Sequence, residues 1–335
     1  MIFVGDIMCH RPQIIAARAK EEYNFATGFQ YLKPLFDSID LVFGNLETTL
    51  PGKPPYTGYP RFRSPDALAR DLKKTGFDVL LTSNNHSNDA DGKGLINTIN
   101  TLQKFGFYQT GTFRNSYERE LYYPLIIKRN GFTITILNYT YDTNGVPSEH
   151  PTVVNITEEE QIILDINKAK TINPDIVLVV MHWGDEYKSK ENKKQRALAK
   201  MMLEAGADLI VGSHPHVVQP ILGVNDGQKS KLVSYSLGNF ISNQQKKHTD
   251  GGIMLEVRFT KEHNRVAEIS ESKYIPIWRY ISQEKGRKVF SVLPISQFED
   301  NPEFFKDGNA LERMKSYGKH VRDILKDSES EEKVF

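Results

Sequence analysis

The sequence DIVLVVMHWG, residues 175–184, joins an uninterrupted apolar run to a polar side chain, His182. Four other stretches have the same form: MIFVGD (1–6), DLVFGNLE (40–47), DVLLTSNNH (78–86) and DLIVGSHPH (208–216). Apolar runs of about four to six residues predict strands that are buried on both faces, as in a parallel or mixed sheet. The chain is therefore expected to have an α/β fold.

Polar side chains lie at or directly after the end of each of these predicted strands. Ligands of such sheets gather beyond the carboxyl ends of the strands, so side chains at these positions should meet at one edge. The residues concerned are Asp6, Asn45, Glu47, Asn85, His86, His182, His214 and His216. They offer oxygen and imidazole donors but no thiolate, which suits one or two divalent metal ions of hard to borderline character.

The composition is that of an ordinary globular protein, with 335 residues, 39% of them hydrophobic and 25% charged. A net charge of +1 gives no electrostatic reason to expect a nucleic-acid partner or a membrane surface. The single cysteine, Cys9, excludes an internal disulfide and a thiolate zinc cluster. No apolar stretch approaches the roughly 20 residues that a membrane span needs.

The segment His214-Pro215-His216 gives the sharpest local indication of metal binding. Proline at 215 disfavours helical backbone at His214 and predicts an extended conformation there. Residues two apart in extended backbone face the same side, so both imidazoles are expected to bind the metal. A surface strand can also contain such a pair by chance.

The two carboxylates of the set, Asp6 and Glu47, are expected to bind the metal as well. Asp6 can hold a cation or accept a hydrogen bond at a helix N-terminus. Glu47 is the residue that we expect to bridge two metals, because two divalent cations roughly 3.5–4 Å apart need a shared negative charge. Asn45 lacks that charge; it is either a further ligand or an ordinary hydrogen bonder at the strand end.

Adjacent residues point in different directions, so Asn85 and His86 are expected to have different roles. The Asn85 amide oxygen can bind the metal, whereas His86 can remain off the metal and protonate a leaving group, since histidine titrates near neutral pH. Residues 83–85 also favour an ordinary turn. His182 is expected to be a ligand, although a lone histidine after a buried strand is often a core residue.

Several other residues are weaker candidates. His10 could reach the metal if its segment opens a helix, or it could face solvent. Asp185 and Glu186 could fix the histidine tautomers by hydrogen bonds to the ring nitrogens that do not bind the metal. On the substrate side, Arg61 and Arg63 could clamp a carboxylate or phosphate, or could belong to a loop that simply covers the sheet. Asn239 is a further substrate-binding candidate.

The order of these motifs resembles that of the calcineurin-like metallophosphoesterases. The particular residues of these motifs resemble more specifically those of the poly-γ-glutamate capsule biosynthesis (CapA/PgsA) family, over roughly residues 1 to 260. The motifs are Gly5-Asp6-Ile7-Met8, Gly44-Asn45-Leu46-Glu47-Thr48, Asn84-Asn85-His86, His182-Trp183-Gly184-Asp185-Glu186-Tyr187, His214-Pro215-His216-Val217-Val218-Gln219-Pro220 and Ser236-Leu237-Gly238-Asn239-Phe240.

The resemblance implies a four-layer α/β/β/α sandwich of two mixed sheets, with a metal site between strand ends that holds manganese, iron or zinc. We expect residues 1–280 to form this domain and residues 281–335 to be an extension whose terminal helix packs on it. Two positions depart from the wider phosphoesterase pattern, because Met8 and Asn45 stand where it has histidine and aspartate. Both departures remove a ligand that the wider pattern provides for the first metal. Glu47 and His10 could replace these missing ligands.

The resemblance further implies a metal-dependent hydrolase of capsule biosynthesis that cleaves a phosphoester or related bond with a metal-activated water. An alternative is an accessory subunit that binds poly-γ-glutamate without turnover, and a third is a structural envelope protein with a vestigial site. Expected partners are an anionic small molecule or polyglutamate, and other capsule-synthesis proteins at the membrane. The chain starts inside a predicted strand, so we expect an upstream anchor or signal and a place in the bacterial cell envelope; the alternative is the cytoplasm.

Overall fold

The computed structural model describes residues 1–20, 22–225, 227, 229–262, 267–284 and 286–334. The strands in chain order are β1 (Ile2–Ile7), β2 (Arg18–Ala19), β3 (Glu22–Tyr23), β4 (Val42–Leu46), β5 (Val79–Leu81), β6 (Tyr108–Thr110), β7 (Thr112–Phe113), β8 (Leu125–Arg129), β9 (Phe132–Thr140), β10 (Val153–Val154), β11 (Ile176–His182), β12 (Leu209–Ser213), β13 (Ile221–Asn225), β14 (Ser230–Ser234), β15 (Asn239–Ile241), β16 (Gly251–Thr260), β17 (Glu268–Glu284), β18 (Arg287–Pro294) and β19 (Glu331–Glu332). The helices are α1 (Arg11–Ala17), α2 (Lys33–Phe36), α3 (Ala67–Thr75), α4 (Asp91–Lys104), α5 (Ser116–Tyr122), α6 (Glu159–Thr171), α7 (Lys193–Ala205), α8 (Ile295–Phe298) and α9 (Ala310–Leu325).

Two mixed sheets make up the centre of the molecule. The first runs in the order β18-β17-β16-β1-β4-β5-β6, with β15 paired to β1 and β19 paired to β17. Strands β1, β4, β5 and β6 are parallel to one another. The β1–β16, β16–β17 and β17–β18 pairs are antiparallel. The second runs in the order β13-β14-β12-β11-β9-β8, with a parallel centre and antiparallel edges.

Strand β11 explains why the apolar runs become central strands. Every residue from Ile176 to His182 is buried, because β9 and β12 flank this strand in the sheet and other layers cover both of its faces. Leu178 on one face belongs to the core between the sheets, and Val179 on the other belongs to the core under the helices. β-Branched residues fit such a doubly covered strand well.

Three apolar clusters separate four layers. One cluster fills the space between the sheets and includes Phe43 and Leu178. A second packs the other face of the first sheet against helices, with Leu72 of α3 as a member. The third packs the second sheet against α6 and α7, with Ile166 and Met202 as members. The predicted α/β/β/α sandwich of two mixed sheets is confirmed.

The C-terminal part of the chain is built into the first sheet. Strand β17 runs through residue 280, and β18 pairs with it from Ile277↔Pro294 to Glu284↔Arg287. Helix α9 adds Met314 and Val321 to the core between the sheets. The division of the chain at residue 280 stays a prediction. Among the described residues, no helix combines the length and the apolar character needed to cross a bilayer.

Glycine at position 5 lets β1 and the segment before β15 approach closely, directly beside Asp6. A Cβ atom at Gly5 would collide with the backbone carbonyl oxygen of Gly238, which cannot rotate away as a side chain could. We therefore expect Gly5→Ala to lower the free energy of unfolding by about 1–3 kcal/mol or more, because overpacking forces the backbone to shift.

Urea denaturation measures this loss. Gly308→Ala is the matched control, since a Cβ atom there meets no heavy atom within 4 Å. Equal stability of the two variants would contradict the close approach.

Candidate metal centre

The carboxyl ends of strands from both sheets meet at one place. In the first sheet, β1 delivers Asp6, and the register places Asp6 beside Asn45 of β4 and Asn239 of β15. In the second sheet, β11 ends at His182, beside Ser213 of β12. The segments that follow the strands then bring in the remaining polar groups. The sheet register therefore assembles the cluster from residues distant in sequence.

Asp6 is fully buried and has hydrogen bonds with both sheets. Its Oδ1 accepts a hydrogen bond from Asn45 Nδ2 at 2.8 Å, and its Oδ2 lies 3.0 Å from His216 Nδ1 and accepts from the His214 backbone amide at 3.4 Å. Burial alone would raise the pKa of Asp6, but the hydrogen bond and charge of His216 lower it to about 2. The group is therefore a carboxylate at neutral pH.

Glu47 is the other buried carboxyl group, and its surroundings differ. Neither Oε1 nor Oε2 has a hydrogen-bond partner among the described residues. Oε1 lies 3.8 Å from His182 Nε2 and 3.9 Å from the Nε2 atoms of His86 and His216. Burial, and then the charge of Asp6, raises the pKa of Glu47 well above its ordinary value.

A cation fits this arrangement. An ionised carboxylate in a buried position is costly unless a positive charge or hydrogen bonds compensate it. Among the described residues, Glu47 has no hydrogen-bond partner. Donor atoms of Asp6, Glu47 and His182 all lie within 4.8 Å of one another. Carboxylate oxygen and imidazole nitrogen are donors that bind divalent transition metals. The buried Asp6, Glu47 and His182 group could therefore bind a metal.

His182 and Asn85 point their donor atoms at the same place. Asn85 Oδ1 lies 2.8 Å from His182 Nε2, and Asn45 Nδ2 lies 3.3 Å from His182 Nδ1. Burial, and then the neighbouring His214, lowers the pKa of His182 well below its ordinary value. The imidazole is therefore neutral at physiological pH, which is the form that binds a metal. The amide of Asn85 is held in turn by Asn144, whose Oδ1 accepts from Asn85 Nδ2 at 3.3 Å.

The structure corrects the conformation predicted for the His214-Pro215-His216 segment. His214 has φ +102° and His216 has φ +59°, so neither residue is extended. Tertiary hydrogen bonds hold this turn: the His214 amide donates to Asp6, and the Tyr187 amide donates to the Pro215 carbonyl at 2.8 Å. Backbone strain of this kind persists where the surroundings over-determine it, as at functional sites.

The two imidazoles of this segment nevertheless lie close together, with 6.0 Å between ring centroids. The His214 ring packs on Tyr141 at 4.5 Å and on His182 at 4.8 Å. Its Nδ1 is buried and has no partner among the described residues, and burial lowers the pKa of His214 to about 3. Like Glu47, His214 therefore has a buried polar atom that no described protein group occupies.

His86 is oriented by a residue that the sequence reasoning missed. Its Nδ1 lies 2.7 Å from Asp89 Oδ2, and the same oxygen accepts a hydrogen bond from the Phe62 backbone amide. With Nδ1 engaged, Nε2 is the nitrogen that faces Glu47. The sequence signal that could have found Asp89 is its spacing, since an acid three residues after a histidine in a tight turn can reach back to the ring.

Asn239 and Asn45 support the cluster from within the protein. Asn239 Oδ1 lies 3.1 Å from His216 Nδ1, and its Nδ2 donates to Gln244 and to the Thr249 carbonyl, each at 2.8 Å. Both ends of this amide therefore have hydrogen-bond partners in the protein, and the role of Asn239 in substrate binding stays a prediction. Asn45 likewise donates to Asp6 and accepts from Asn84, as a hydrogen bonder at a strand end does.

His10 lies near the cluster, at the N-cap of α1. Its Nδ1 accepts a hydrogen bond from the Asn243 amide at 3.1 Å, and its ring packs edge-on against Phe62. Burial lowers the pKa of His10 to about 4. Since Nδ1 is occupied by the Asn243 amide, only Nε2 remains for another role.

Four other predicted site residues do not join the buried cluster. Arg61 is exposed and pairs with Asp91 at 3.3 Å, while Arg63 is half-buried and pairs through its backbone with Thr57. Asp185 and Glu186 are exposed, and Asp185 accepts a hydrogen bond from Asn192 at the start of α7. Among the described residues, neither acid has a hydrogen bond to an imidazole.

This fold occurs in a solved phosphoesterase and a solved nucleotidase. Calcineurin-like phosphoesterase YfkN from Bacillus subtilis superposes with a TM-score of 0.53 at 12% identity, covering 97% of this chain and 98% of that one. The NAD nucleotidase NadN of Haemophilus influenzae superposes with a TM-score of 0.50 at 14% identity, covering 90% of this chain and 55% of that one. The chain has the fold of the calcineurin-like phosphoesterases, with a buried Asp/Glu/His cluster.

Sequence similarity defines the family more narrowly. The chain belongs to the family described as "Bacterial capsule synthesis protein PGA_cap", whose profile matches residues 1–244. PGA biosynthesis protein CapA of Bacillus subtilis is 31% identical over 265 residues, or 77% of this chain and 67% of that protein. Capsule biosynthesis protein CapA of Bacillus anthracis is 27% identical over 339 residues, or 97% of this chain and 74% of that protein.

The raised pKa of Glu47 predicts a pH-dependent stability in chelator-treated protein. Between its ordinary pKa of 4.5 and the raised folded value, the folded state holds a proton that the unfolded state has lost, so stability falls as pH rises. Glu47→Gln removes this titration. We expect the free energy of unfolding of the native protein to decline relative to that of Glu47→Gln by up to about 1.4 kcal/mol per pH unit within that window.

Urea denaturation at several pH values measures this difference, and thermal denaturation with added manganese provides a second readout. Manganese should stabilise the native protein and have a much smaller effect on Glu47→Gln. The native protein and Glu47→Gln could instead show the same dependence of unfolding free energy on pH and the same stabilisation by manganese. That result would contradict the description of Glu47 as a buried acid with a raised pKa that can bind a cation.

Proposed function

We propose that this protein hydrolyses a phosphoester or a related bond during capsule biosynthesis, with a divalent metal ion at the buried cluster. The carboxyl group of Glu47 is the observation that carries this proposal. Three imidazole Nε2 atoms surround it at 3.8–3.9 Å, and neither of its oxygens has a hydrogen-bond partner among the described residues. Family membership supports the process, and the fold supports the class of reaction.

Asp6, Glu47, Asn85, His182, His214 and His216 would hold one or two metal ions, with manganese, iron and zinc as the candidates. Such an ion supplies Lewis acidity, which makes hydrolysis feasible at neutral pH. Asp6 is ionised and His182 is neutral, as ligands must be. Asn239 and Asn45 keep the ligands in position through their hydrogen bonds.

His86 is the residue that we assign to proton transfer. Asp89 binds Nδ1 and fixes the ring, so the Nε2 side of the imidazole is presented to the cluster. A histidine held by a carboxylate in this way can donate a proton to a leaving oxygen. The edge of the ring packs against Phe62, which restricts its motion further.

A second function has its own support. The similar proteins of Bacillus are named for capsule or PGA biosynthesis and not for a hydrolase activity. An accessory subunit that binds poly-γ-glutamate at the cluster without turnover would agree with those names. In either case we propose that the protein works with other capsule-synthesis proteins at the cell envelope.

Metal analysis combined with a p-nitrophenyl phosphoester assay, with and without manganese, tests these proposals. Bound metal with turnover supports the hydrolase. Bound metal without turnover, together with binding of poly-γ-glutamate, supports the accessory subunit. Absence of bound metal would contradict both the hydrolase and the accessory subunit, and would favour a structural protein with a vestigial site.

His86→Ala provides the sharper mechanistic test. We expect its metal content to equal that of the native protein and its turnover to fall about 10²- to 10⁴-fold, because only the proton donor is lost. Asp89→Asn should show a smaller loss, and His150→Ala, on an exposed loop, is the control. A parallel loss of metal in His86→Ala would show that His86 is a ligand instead.

A further inference from the structure

A polar cavity is linked to the candidate metal centre through two of its lining residues, Gln244 and Lys246. Its volume is about 750 Å³, within the size range of small-molecule sites. Strand β17, helix α9 and residues 244–250 form its walls. The cationic groups of the lining are Lys246, Lys247, Arg279 and Arg313, and the acids are Asp250 and Glu312. The cavity therefore has an excess of positive charge before His248, which also lines it, is counted.

Arg279 is the buried cation of this cavity, with 7% of its surface exposed. Its Nε and Nη1 atoms have no hydrogen-bond partner among the described residues, and Nη2 has only a long contact of 3.5 Å to the Gln244 carbonyl. A buried guanidinium without a partner is costly, so its donors are available for an anion. The planar fork of arginine matches the geometry of carboxylate and phosphate.

A second unpaired donor lies in the same wall. The hydroxyl of Tyr317 is buried and has no partner among the described residues, although phenolic hydroxyls usually find one when buried. Tyr317 is only 3% exposed, and it lines the cavity together with Arg279. Two independent donors are therefore left unpaired around one cavity.

The acids of the lining do not neutralise Arg279. The carboxylate of Asp250 accepts a hydrogen bond from Trp278 Nε1 at 2.8 Å, and its backbone carbonyl accepts from the Arg279 amide. Asp250 acts on Arg279 as a nearby charge, but among the described residues no ion pair involves this guanidinium. Glu312 is exposed on α9.

Residues 244–246 connect the cavity with the metal cluster. Gln244 lines the cavity, and its side chain accepts the hydrogen bond from Asn239, which holds His216. Lys246 also lines the cavity, and its Nζ lies 3.7 Å from the ring centroid of Tyr187. The Tyr187 ring in turn lies 6.0 Å from that of His216. One aromatic ring thus separates a cation of the cavity from the cluster.

We propose that this cavity binds an oxyanion, either a carboxylate or a phosphate, of the molecule that is acted on at the metal centre. This assignment rests on the proposed function for its link to the reaction, but binding at the cavity can be measured separately. Arg279 is the anchor through its bidentate fork, Tyr317 donates a further hydrogen bond, and Lys246 and Lys247 add positive charge to the lining.

Titration calorimetry on chelator-treated, full-length protein tests this proposal with two probes, a γ-linked penta-glutamate and inorganic phosphate. We expect Arg279→Met to raise the Kd roughly 10- to 100-fold and Tyr317→Phe to raise it several-fold, because each loses hydrogen bonds to a charged group. Arg258→Met is the matched control. It removes a positive charge from the neighbouring strand β16, where Arg258 is largely exposed and does not line the cavity.

Both test variants should fold, because neither removes a hydrogen bond on which the protein depends. Their thermal stability without a probe is expected to equal or exceed that of the native protein, since each removes a buried unpaired donor. Tyr317→Phe removes only the hydroxyl. Its effect on the Kd of the probe can therefore be interpreted even if Arg279→Met is destabilised.

The two probes distinguish the sources of the anion. Binding of penta-glutamate that both variants weaken assigns the cavity to a carboxylate chain, and the same pattern with phosphate assigns it to a phosphate group. Absence of binding for both probes, or unchanged affinity in Tyr317→Phe and Arg279→Met, overturns the proposal. Glu47→Gln should retain binding at the cavity, because Glu47 does not line it. Anion binding by a native protein that shows no turnover would therefore count against the hydrolase and not against the cavity.

Discussion

The carboxylate of Asp6 holds the two sheets together at the edge where the candidate metal centre lies. One of its oxygens binds Asn45 of the first sheet, and the other binds the turn that follows β12 of the second sheet. A buried charge with this many hydrogen bonds is costly to move, because breaking any one of them leaves a buried group unpaired. The positions of His214 and His216 therefore depend on an acid more than 200 residues away in the sequence.

The sheet architecture and much of the cluster could be predicted from sequence because the two share one cause. Uninterrupted apolar runs specify central strands, and a parallel arrangement brings their carboxyl ends together. His182 follows this logic directly, as the last residue of β11. Asp6 and Asn45, predicted at strand ends, are neighbours in the register. The motif order supplied the pairing of the sheets, which hydrophobic runs alone do not specify.

Features set by tertiary contacts could not be predicted in this way. Proline at 215 favours extended backbone before it, but hydrogen bonds to Asp6 and from Tyr187 hold His214 at positive φ. The hydrogen bonds from the Asn239 amide to Gln244 and to the Thr249 carbonyl are likewise tertiary contacts that no motif indicates. Arg279 belongs to no motif and lies in β17, so its burial and its lack of an ion-pair partner among the described residues follow only from the tertiary structure.

The long separation between Asp6 and Asn239 has a consequence for biosynthesis. A ribosome releases the chain from the N-terminus, so β1 emerges before its partners β15 and β16, which come more than 230 residues later. Until then the edge of β1 that they cover lacks its neighbours, and the polar cluster lacks the amide that steadies His216. The nascent protein can thus complete this cluster only after β15 has left the ribosome, long after β1 has done so.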